Sequence, residues 1–533
     1  MPTCAEVLAR TLREAGIVRM FGLPGGEILD FMDAARRAGI GFLLTRHEAT
    51  ASLMADVTGQ IERRPGVCVS TLGPGAVNMT LGVANAFLDR SPMLAITATL
   101  ARASVPFATH QDLDLNAVYW PFTKLAITLD GVDTAAKVRR AIDVSLAPRM
   151  GPVHIALPSD VARAEERAGG DETQANHTTA DPAPPPVADD LTHLGELISR
   201  ARRPAVVLGL DLNPVTDAAP VRAFVERLGA PVFVTPKAKG MLPEDHRLFY
   251  GVCAGVAGDA VVVQWLEQSD LLIGIGFDPV ESDKLWHQTL PLVSIGPLSI
   301  AVREFQPHAE VVGNVADILR ALERWLPADL DWPADDRTLF RTALDAAMRP
   351  STPARGLSGY ELTRRLRDLL PPETVLVTDV GSIKMITTQL WRTYAPLTFF
   401  ESNGLSAMSY SLAGAMAARL QYPDRPVVCT IGDGGFGMTL AEIETCVRER
   451  LHVITVVYND DSLSLIDAAQ ARRGYPTLGV RYGPIDFAAA SAALGAWSRR
   501  VETLTELDTA IQEALQVERP AVIDAMVDPG SYR

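Results

Sequence analysis

Cysteine, clustered positive charge and long apolar segments are scarce in this 533-residue sequence, and each scarcity excludes a class of protein. The 5 cysteines are scattered and include no Cys-x-x-Cys pair, which argues against a disulfide framework and a structural zinc site. The 49 basic residues against 64 acidic ones leave a net charge of -15, whereas nucleic-acid binders need clustered cations. No apolar run approaches the roughly 18 residues of a membrane span, and the first residues do not resemble a signal peptide. We therefore expect a cytoplasmic protein.

The composition is that of an ordinary globular protein, with 47% hydrophobic and 21% charged residues. At roughly 150 residues per domain, the length predicts three or four domains. Two proline-bearing stretches without hydrophobic periodicity, 165–190 and 326–357, are expected to be linkers. We therefore expect domains at residues 1–165, 190–325 and 357–533.

Each expected domain alternates short apolar runs with helical patterns. Continuous apolar runs separated by helices are typical of parallel strands that are covered on both faces. The sequence therefore predicts an α/β protein with three open parallel-sheet domains, whose ligands lie beyond the carboxyl ends of the strands. The runs expected to be buried strands are 67–71, 93–97, 205–210, 232–234, 271–275, 375–378, 427–431 and 453–457.

Acidic loops follow the two neighbouring runs at 427–431 and 453–457. The first loop reads Gly-Asp-Gly-Gly at 432–435, and the second reads Asn-Asp-Asp-Ser at 459–462. Glycines let backbone N–H groups approach phosphates, and carboxylates supply the oxygen ligands that Mg²⁺ prefers. Either loop alone is more often an ordinary turn, but together they predict a magnesium-bound diphosphate. Thr439 and Glu442 form a capping-box pattern that predicts the start of the intervening helix.

The stretch 432–462 resembles the thiamine-diphosphate motif of the family that includes acetolactate synthase, pyruvate decarboxylase, benzoylformate decarboxylase and benzaldehyde lyase. That family closes the motif with two asparagines, whereas this sequence has Asn459-Asp460. The resemblance implies thiamine diphosphate and Mg²⁺, with Asp433, Asp460 and the Ser462 carbonyl as metal ligands. Asp460 adds a negative charge beside the diphosphate, but a carboxylate still binds Mg²⁺.

Glu48 follows the apolar run 41–44 in the sequence Thr-Arg-His-Glu. Taken alone, such a triplet of charged and polar residues usually belongs to a salt-bridged surface. The resemblance implies instead that Glu48 hydrogen-bonds the aminopyrimidine ring of the cofactor. A carboxylate there favours the tautomer that accepts the thiazolium proton, so the protein contributes placement and electrostatics.

Further loops match the family in order along the chain, and the pattern is closest to the acetolactate synthase large subunit. In particular, Met408 matches the side chain that holds the cofactor bent, and the Ser406 carbonyl matches the acceptor for the pyrimidine amino group. The cofactor-binding residues implied by the resemblance are Gly25, Gly381, Ser382, Ser406, Met408, Asp433, Gly434, Gly435, Asp460 and Ser462.

The resemblance also bears on the substrate pocket, at His110, Gln111 and Ile466. Gln111 matches a pocket glutamine of acetolactate synthase and benzaldehyde lyase, and His110 is similar to a histidine of pyruvate decarboxylase or is only a loop residue. Pyruvate decarboxylases carry a glutamate where this sequence has Ile466, which favours bond formation over release of an aldehyde. We therefore expect decarboxylation of a 2-oxo acid followed by carboligation, as in acetolactate synthase.

Other functions stay open. The protein is alternatively a 2-oxo acid decarboxylase or a lyase of 2-hydroxy ketones, or a non-catalytic relative that binds the cofactor. A nucleotide-binding α/β protein is disfavoured, because neither G-x-G-x-x-G nor G-x-x-x-x-G-K-[ST] follows a predicted strand.

FAD, which acetolactate synthase keeps in its middle domain, is doubtful here. The two matching arginine positions are Gly276 and Val280, and the expected acidic residue is missing from 294–297. The family also builds each site from two subunits. The resemblance therefore implies a homodimer or homotetramer with shared active sites.

Overall fold

The computed structural model describes residues 1–107, 110–168, 188–253, 255–281, 290–302, 306–349 and 352–532. Within these residues, the strands form three six-stranded sheets in which every named pair is parallel. Helices connect the successive strands of the first and third sheets, and they connect β7 to β8 and β9 to β10 in the middle sheet. The predicted α/β fold with three open parallel sheets is therefore confirmed.

The first sheet has the strand order β2-β1-β3-β4-β6-β5. Its strands are β1 (Arg19–Leu23), β2 (Gly41–Leu44), β3 (Gly66–Ser70), β4 (Met93–Thr99), β5 (Leu125–Thr128) and β6 (Pro152–Pro158). Its helices are α1 (Cys4–Glu14), α2 (Leu29–Arg37), α3 (Glu48–Glu62), α4 (Pro74–Asn78), α5 (Thr80–Leu88), α6 (Leu115–Tyr119), α7 (Thr134–Leu146) and α8 (Ser159–Arg163).

The middle sheet has the order β12-β11-β10-β7-β8-β9, so that β7 and β10 meet where the order reverses. Its strands are β7 (Pro204–Leu208), β8 (Val232–Val234), β9 (Phe249–Val252), β10 (Leu271–Ile275), β11 (Leu292–Gly296) and β12 (Ala309–Val312). Its helices are α9 (Ala188–Arg200), α10 (Ala218–Leu228), α11 (Asp259–Leu266), α12 (Val315–Leu322) and α13 (Asp336–Ala347).

The third sheet has the order β14-β13-β15-β16-β18-β17, which places the ends of β13, β15 and β16 side by side. Its strands are β13 (Val375–Thr378), β14 (Phe399–Glu401), β15 (Val427–Gly432), β16 (Ile454–Asn459), β17 (Trp497–Val501) and β18 (Ala521–Met526). Its helices are α14 (Gly359–Leu369), α15 (Ser382–Leu390), α16 (Tyr410–Gln421), α17 (Asp433–Thr439), α18 (Glu442–Arg448), α19 (Ser464–Arg472), α20 (Phe487–Ala493) and α21 (Leu504–Ala514).

One hydrophobic core joins the first and third sheets through α3 and α16. Both helices are rich in small and apolar residues and are buried over most of their length, as expected for helices inside a large core. The approach is close, because a Cβ at Gly414 would lie 2.9 Å from Val377 Cγ1 and 3.1 Å from Val57 Cγ2. The two domains therefore pack closely against each other within one chain.

Residues 326–357 were expected to form a linker without hydrophobic periodicity, but they contain the helix α13. The linker prediction was wrong in that respect. Phe340 of α13 is buried, with its ring centroid 5.7 Å from that of Phe233 and 5.3 Å from that of Tyr250. Prolines and charged residues surround the apolar residues of α13, and they mask the helical spacing of those apolar residues in the sequence. Residues 169–187 of the other expected linker lie outside the described residues.

All 5 cysteines are buried and free, which agrees with the sequence prediction. Among the described helices, none is long and apolar enough to cross a membrane.

Candidate active site

The adjacent ends of β13, β15 and β16 surround a cavity of about 230 Å³. Four separate loops contribute to it, because the carboxyl ends of parallel strands meet at one edge of the sheet. Nine of the residues implied by the sequence line this cavity. They are Gly381, Ser382, Ser406, Met408, Asp433, Gly434, Gly435, Asp460 and Ser462.

Asp433 connects the loop after β15 to the loop after β16. Its carboxylate accepts hydrogen bonds from Gly434 N at 2.8 Å and from Ser462 N at 3.1 Å. Asp460 accepts a hydrogen bond from the Ser464 hydroxyl. Burial raises the pKa of Asp433 to about 6, and burial together with the Asp433 charge raises the pKa of Asp460 to about 7. Among the described residues, no lysine or arginine side chain is paired with either of these two carboxyl groups.

The donor chemistry of this site fits a Mg²⁺ ion that completes its coordination with diphosphate oxygens. Asp460 Oδ1 is buried and has no hydrogen-bond partner in the described structure, which leaves an oxygen ligand available. No group of three or more His, Cys, Asp or Glu side chains in the described ranges forms an all-protein metal site. Mg²⁺ commonly binds one or two carboxylates plus phosphate oxygens, and a bound cation would lower both raised pKa values.

Glycines leave room for a ligand on the floor of the cavity. A Cβ at Gly381, where φ is +100°, or at Gly432 would meet no protein atom within 4 Å. Gly435 is required for a different reason, because a Cβ there would lie 2.0 Å from Asp379 Oδ2. The open positions can therefore admit a diphosphate close to the backbone.

Asp379, at the end of β13, orients the segment that carries Met408. Its carboxylate accepts hydrogen bonds from Ser409 N at 3.0 Å and Tyr410 N at 3.1 Å. Burial raises the pKa of Asp379 to about 7. Ser406 and Ser409 both have positive φ, 57° and 71°, so this segment adopts a conformation that needs support from its neighbours.

The predicted capping box was wrong. α17 begins at Asp433, directly after β15, and ends at Thr439, whose hydroxyl donates to Gly435 O. The Glu442 carboxylate instead accepts hydrogen bonds from Arg46 N at 3.0 Å and His47 N at 3.2 Å in the first domain. Glu442 therefore stabilises the loop that precedes Glu48.

Glu48 begins α3 at the end of β2, next to the ends of β1 and β3. His47 caps the helix, since its Nδ1 accepts a hydrogen bond from Ala49 N at 3.1 Å. The Glu48 side chain is buried, and Asn78 Nδ2 donates to its Oε2 at 3.0 Å. Gly75 leaves room beside Oε1, because a Cβ there would lie 3.1 Å from that atom.

The other first-domain residues implied by the sequence lie at the same edge of the first sheet. Gly25 approaches Thr71 so closely that a Cβ would lie 2.4 Å from Thr71 Oγ1. Gln111 is exposed, with φ at +59°, and its side chain lies 3.1 Å from the position of a Cβ at Gly73. His110 is exposed, and residues 108–109 before it lie outside the described residues.

Within the described residues, the first-domain half of the predicted site does not line the 230 Å³ cavity. Every described residue that lines the 230 Å³ cavity falls between 380 and 532. Exposed apolar side chains flank both halves: Met438 and Ile466 near the cavity, and Val77 of α4 and Leu81 of α5 on either side of Asn78, which contacts Glu48.

Comparison with protein-family models identifies the family of each domain. The model described as thiamine pyrophosphate enzyme, N-terminal TPP binding domain matches residues 2–118, the central-domain model matches 191–322, and the C-terminal TPP binding-domain model matches 379–525.

The chain belongs to the thiamine pyrophosphate enzyme family.

This finding confirms the family resemblance and the expectation of thiamine pyrophosphate (thiamine diphosphate) as cofactor. Curated relatives match over nearly the whole chain. An acetolactate synthase of Bacillus subtilis is 28% identical over 98% of this chain and 93% of its own length. The acetolactate synthase isozyme 1 large subunit of Escherichia coli is 29% identical over 99% of this chain and 94% of its own. A relative from Mycobacterium tuberculosis is 31% identical over 99% of this chain and 98% of its own.

This thiamine pyrophosphate enzyme also has cavity residues that sequence reasoning missed. Tyr458, Val380, Ile383 and Tyr532 line the cavity. Burial, with Asp460 and Tyr458 nearby, raises the pKa of the Tyr532 phenol. Tyr532 lies 72 positions beyond Asp460 (532 − 460) and follows no predicted strand directly, so no local signal could have found it.

In the middle domain of this family member, the loops at the point where β7 and β10 meet differ from a flavin-binding site. Gly276 has φ at +62°, and a Cβ there would lie 2.5 Å from Leu212 Cγ, so no arginine fits without rearrangement. Val280, at the other matching position, is half-buried. The loops after β7 and β10 also hydrogen-bond each other, from Asp211 N to Gly276 O at 2.8 Å.

Acidic side chains are concentrated at the same point. Arg149 Nε lies 3.3 Å from Asp278 Oδ2 and 3.6 Å from Asp211 Oδ2, and Arg90 Nε lies 2.8 Å from Asp278 Oδ2. Burial raises the pKa of Asp211 to about 7 and that of Glu281 to about 8. Gly276 and Val280 stand where the resemblance implies arginines, and Arg90 and Arg149 are already paired with Asp278 and Asp211, so the described residues do not fit FAD here.

Proposed function

We propose that the protein is a thiamine-diphosphate- and Mg²⁺-dependent enzyme that decarboxylates a 2-oxo acid and joins the remaining acyl unit to an acceptor carbonyl. The observation that carries the proposal is the 230 Å³ cavity, in which two buried carboxyl groups, neither paired with a cation among the described residues, face open glycine positions. Acetolactate synthase relatives that match over nearly the full length support the same reaction class.

Asp433 and Asp460 would hold Mg²⁺ through their carboxylate oxygens, together with the main-chain carbonyl of Ser462. Ser462 N donates a hydrogen bond to Asp433 Oδ2 at 3.1 Å, and this contact holds Ser462 next to Asp433. Gly381 and Ser382 follow β13 and would approach the diphosphate with backbone N–H groups, since a Cβ at Gly381 meets no protein atom within 4 Å.

Glu48 would orient the aminopyrimidine ring and share a proton with a ring nitrogen. Its burial supports that role, because a carboxylate removed from water forms stronger hydrogen bonds. Thiamine diphosphate held by these residues would supply the nucleophilic carbon for the reaction. Met408, in contact range of Gly434, would keep the cofactor bent, and the Ser406 carbonyl would accept a hydrogen bond from the pyrimidine amino group.

The active site is proposed to form between two subunits. The carboxylate half around Glu48 and the diphosphate half around Asp433 each border exposed apolar side chains, and large apolar patches commonly mark interfaces. A symmetric dimer would join each half to the opposite half of its partner and give two equivalent sites. A tetramer would contain two such pairs.

Bond formation is favoured over simple decarboxylation by Ile466. This apolar residue lines the cavity and is half exposed, and it offers no proton to the reacting acyl carbon. Gln111 would contact the substrate or acceptor from the first domain, and the exposed His110 beside it is a second candidate. A decarboxylase or a 2-hydroxy ketone lyase would use the same residues, and product analysis separates these reactions.

FAD is proposed to be dispensable. The positions at Gly276 and Val280 lack the arginines of the resemblance, and Asp211, Asp278 and Glu281 place carboxyl groups nearby. No step of the proposed reaction requires a redox cofactor.

The proposal is tested with a panel of 2-oxo acids, each supplied alone and with an aldehyde or second 2-oxo acid as acceptor. Dialysed protein is assayed with and without thiamine diphosphate and Mg²⁺, and products are identified by mass spectrometry. We expect a carboligation product only when both are present. No cofactor-dependent turnover of any substrate would contradict the enzyme assignment, and release of aldehyde alone would assign a decarboxylase.

A further inference from the structure

The segment 402–408, which presents Ser406 and Met408 to the cavity, is held from the first domain. Asp89, at the end of α5, accepts a hydrogen bond from Gly404 N at 2.8 Å through Oδ1, and Asn403 N lies 3.4 Å from its Oδ2. Gly404 packs so tightly that a Cβ would lie 2.5 Å from Leu88 Cβ. The Asp89 carboxylate is therefore one of the supports of segment 402–408, together with Lys384, whose Nζ donates to the Ser402 carbonyl at 2.8 Å and to Asn403 Oδ1 at 3.2 Å.

Asp89 is almost completely buried, with only 1% of its side chain exposed, and its counter-ion comes from the middle domain. Lys237 Nζ lies 3.1 Å from Asp89 Oδ2. The same ammonium donates to Gln60 Oε1 at 2.9 Å and to the Glu401 carbonyl at 3.1 Å. All three donors of Lys237 are thus used, and its contacts reach the first and third domains from the middle one.

Asn85 extends the same polar cluster. Its Nδ2 donates to Asp56 Oδ2 at 2.6 Å and lies 3.3 Å from Asp89 Oδ2, while its Oδ1 accepts a hydrogen bond from the Ser402 hydroxyl. Ala407 N in turn donates to Ser402 Oγ at 2.7 Å. Both ends of segment 402–408 are therefore bound to a cluster in which two buried carboxylates, Asp56 and Asp89, face one lysine.

The conformation of the segment makes this support necessary. Ser406 adopts φ of 57°, a region that a non-glycine residue occupies only when its surroundings enforce it. Without the Lys237 charge, Asp89 would be a buried carboxylate with no counter-ion, which is strongly unfavourable. Asp89 would then move toward water, and the bond to Gly404 would weaken.

We propose that Lys237 is a positioning residue, which neutralises Asp89 and thereby fixes the segment that presents Ser406 and Met408 to the active-site cavity. The proposed effect of Lys237 on activity rests on the proposed function, whereas its proposed effect on segment 402–408 concerns the protein without cofactor. Lys237 also lines a cavity of about 540 Å³ bordered by all three domains. The middle domain thus contributes to activity through a contact rather than through a cofactor.

The structural claim is tested by hydrogen–deuterium exchange of peptides covering 402–409 in the full-length apo protein. We compare Lys237→Met with Lys124→Met, a control in which the lysine is half-buried and donates to the Ala147 carbonyl at 2.6 Å, away from this cluster. Exchange in the Lys237 variant is expected to be on the order of tenfold faster at Gly404, because local opening governs amide exchange. The control is expected to match the unsubstituted protein.

A rescue variant separates positioning from general destabilisation. Asp89→Asn keeps an oxygen that accepts from Gly404 N and removes the uncompensated charge, so Lys237→Met with Asp89→Asn should restore slow exchange. If the single variant does not fold, amide exchange in the double variant still tests the proposal. With cofactor and substrate, kcat should fall about tenfold in the single variant with KM nearly unchanged, and recover in the double variant.

Two outcomes would overturn the proposal: unchanged exchange at 402–409 in the single variant, or a folded double variant in which that segment still exchanges rapidly. Failure of the proposed function looks different. In that case the unsubstituted protein shows no thiamine-diphosphate-dependent turnover, while the exchange results stand unaffected.

Discussion

Asn78 Nδ2 donates a hydrogen bond to Glu48 Oε2 across 3.0 Å, and this contact holds one oxygen of the buried carboxylate. Within the described residues, no hydrogen bond reaches the other oxygen, Oε1, beside which Gly75 leaves room. The carboxylate is therefore oriented before any ligand binds, with one oxygen available. Such preorganisation is what a group needs if it is to hold a ring nitrogen in a fixed geometry.

The first prediction concerns Glu48. Glu48→Gln should leave thiamine diphosphate binding within a few-fold of normal but lower kcat by about 10²–10⁴-fold, the usual contribution of a proton-sharing group. Cofactor affinity is measured by fluorescence titration and kcat by carbon dioxide release.

Glu62→Gln provides the matched control, because Glu62 ends the same helix α3 and its carboxylate accepts from Gln421 Nε2 rather than from Asn78. The control should retain normal kcat. Near-normal turnover in Glu48→Gln would remove Glu48 from the mechanism.

The second prediction concerns the metal site. Asp433→Ala should abolish the Mg²⁺-dependent retention of thiamine diphosphate through dialysis, because Asp433 would supply a carboxylate ligand and it also accepts a hydrogen bond from Ser462 N. Asp460→Asn should retain the cofactor within about tenfold, because an amide oxygen still binds Mg²⁺ and the like-charge repulsion is removed. Retained cofactor is quantified after dialysis against Mg²⁺ or a chelator.

Asp461→Asn is the control for both metal-site variants. Asp461 is adjacent in sequence but pairs with Arg355, whose Nη2 lies 3.4 Å from its Oδ2. This variant should bind the cofactor normally. Equal retention in Asp433→Ala and Asp461→Asn would disprove the metal assignment.

The third prediction concerns flavin. Purified protein should show no flavin absorption band, and added FAD should change neither turnover nor thermal stability, because Gly276 and Val280 stand at the arginine positions of the resemblance and Arg90 and Arg149 are already paired with carboxylates. A stoichiometric flavin released on denaturation would show that the middle domain rearranges to accept it.

The fourth prediction uses the pKa of Glu281, which burial raises from 4.5 to about 8. Between these pH values the folded chain keeps a proton that the unfolded chain has lost, so the free energy of unfolding falls as pH rises. Glu281→Gln removes this titration. Its melting temperature should therefore decline less than that of the unsubstituted protein over this range, by about 2 °C or more.

Glu196→Gln serves as the control for the pH series, since Glu196 belongs to the same domain but is paired at the surface with Arg200. Its melting temperature should follow that of the unsubstituted protein at each pH. Parallel curves for all three proteins would show that Glu281 does not titrate in this range.

The third sheet and its cavity could be predicted because their signals are local. The runs at 375–378, 427–431 and 453–457 agree closely with β13, β15 and β16, and parallel strands bring the loops after them to one edge. That rule was enough to place Asp433 and Asp460 in the same cavity. The order of the strands, which makes β13, β15 and β16 neighbours, was not needed for the prediction.

The failures have a common physical cause, which is contact between distant parts of the chain. Glu442 looked like a helix cap, but it binds backbone N–H groups of Arg46, 396 positions away, and of His47. Likewise, the pairing of Lys237 with Asp89 spans 148 positions. Local patterns contain no information about such partners, so charged residues used between domains resemble ordinary surface residues in the sequence.

Subunit complementation tests most directly the claim that Glu48 of one chain acts on a cofactor held by Asp433 of another. Glu48→Gln and Asp433→Ala proteins, each inactive alone, are mixed, dissociated and reassociated, and turnover of the identified substrate is measured. In a shared-site mixed dimer, one of the two sites receives both native residues, so random reassociation should restore about a quarter of normal activity. If no activity returns although mixed dimers are detected by native mass spectrometry, each site is built within one chain and the shared-site arrangement is wrong.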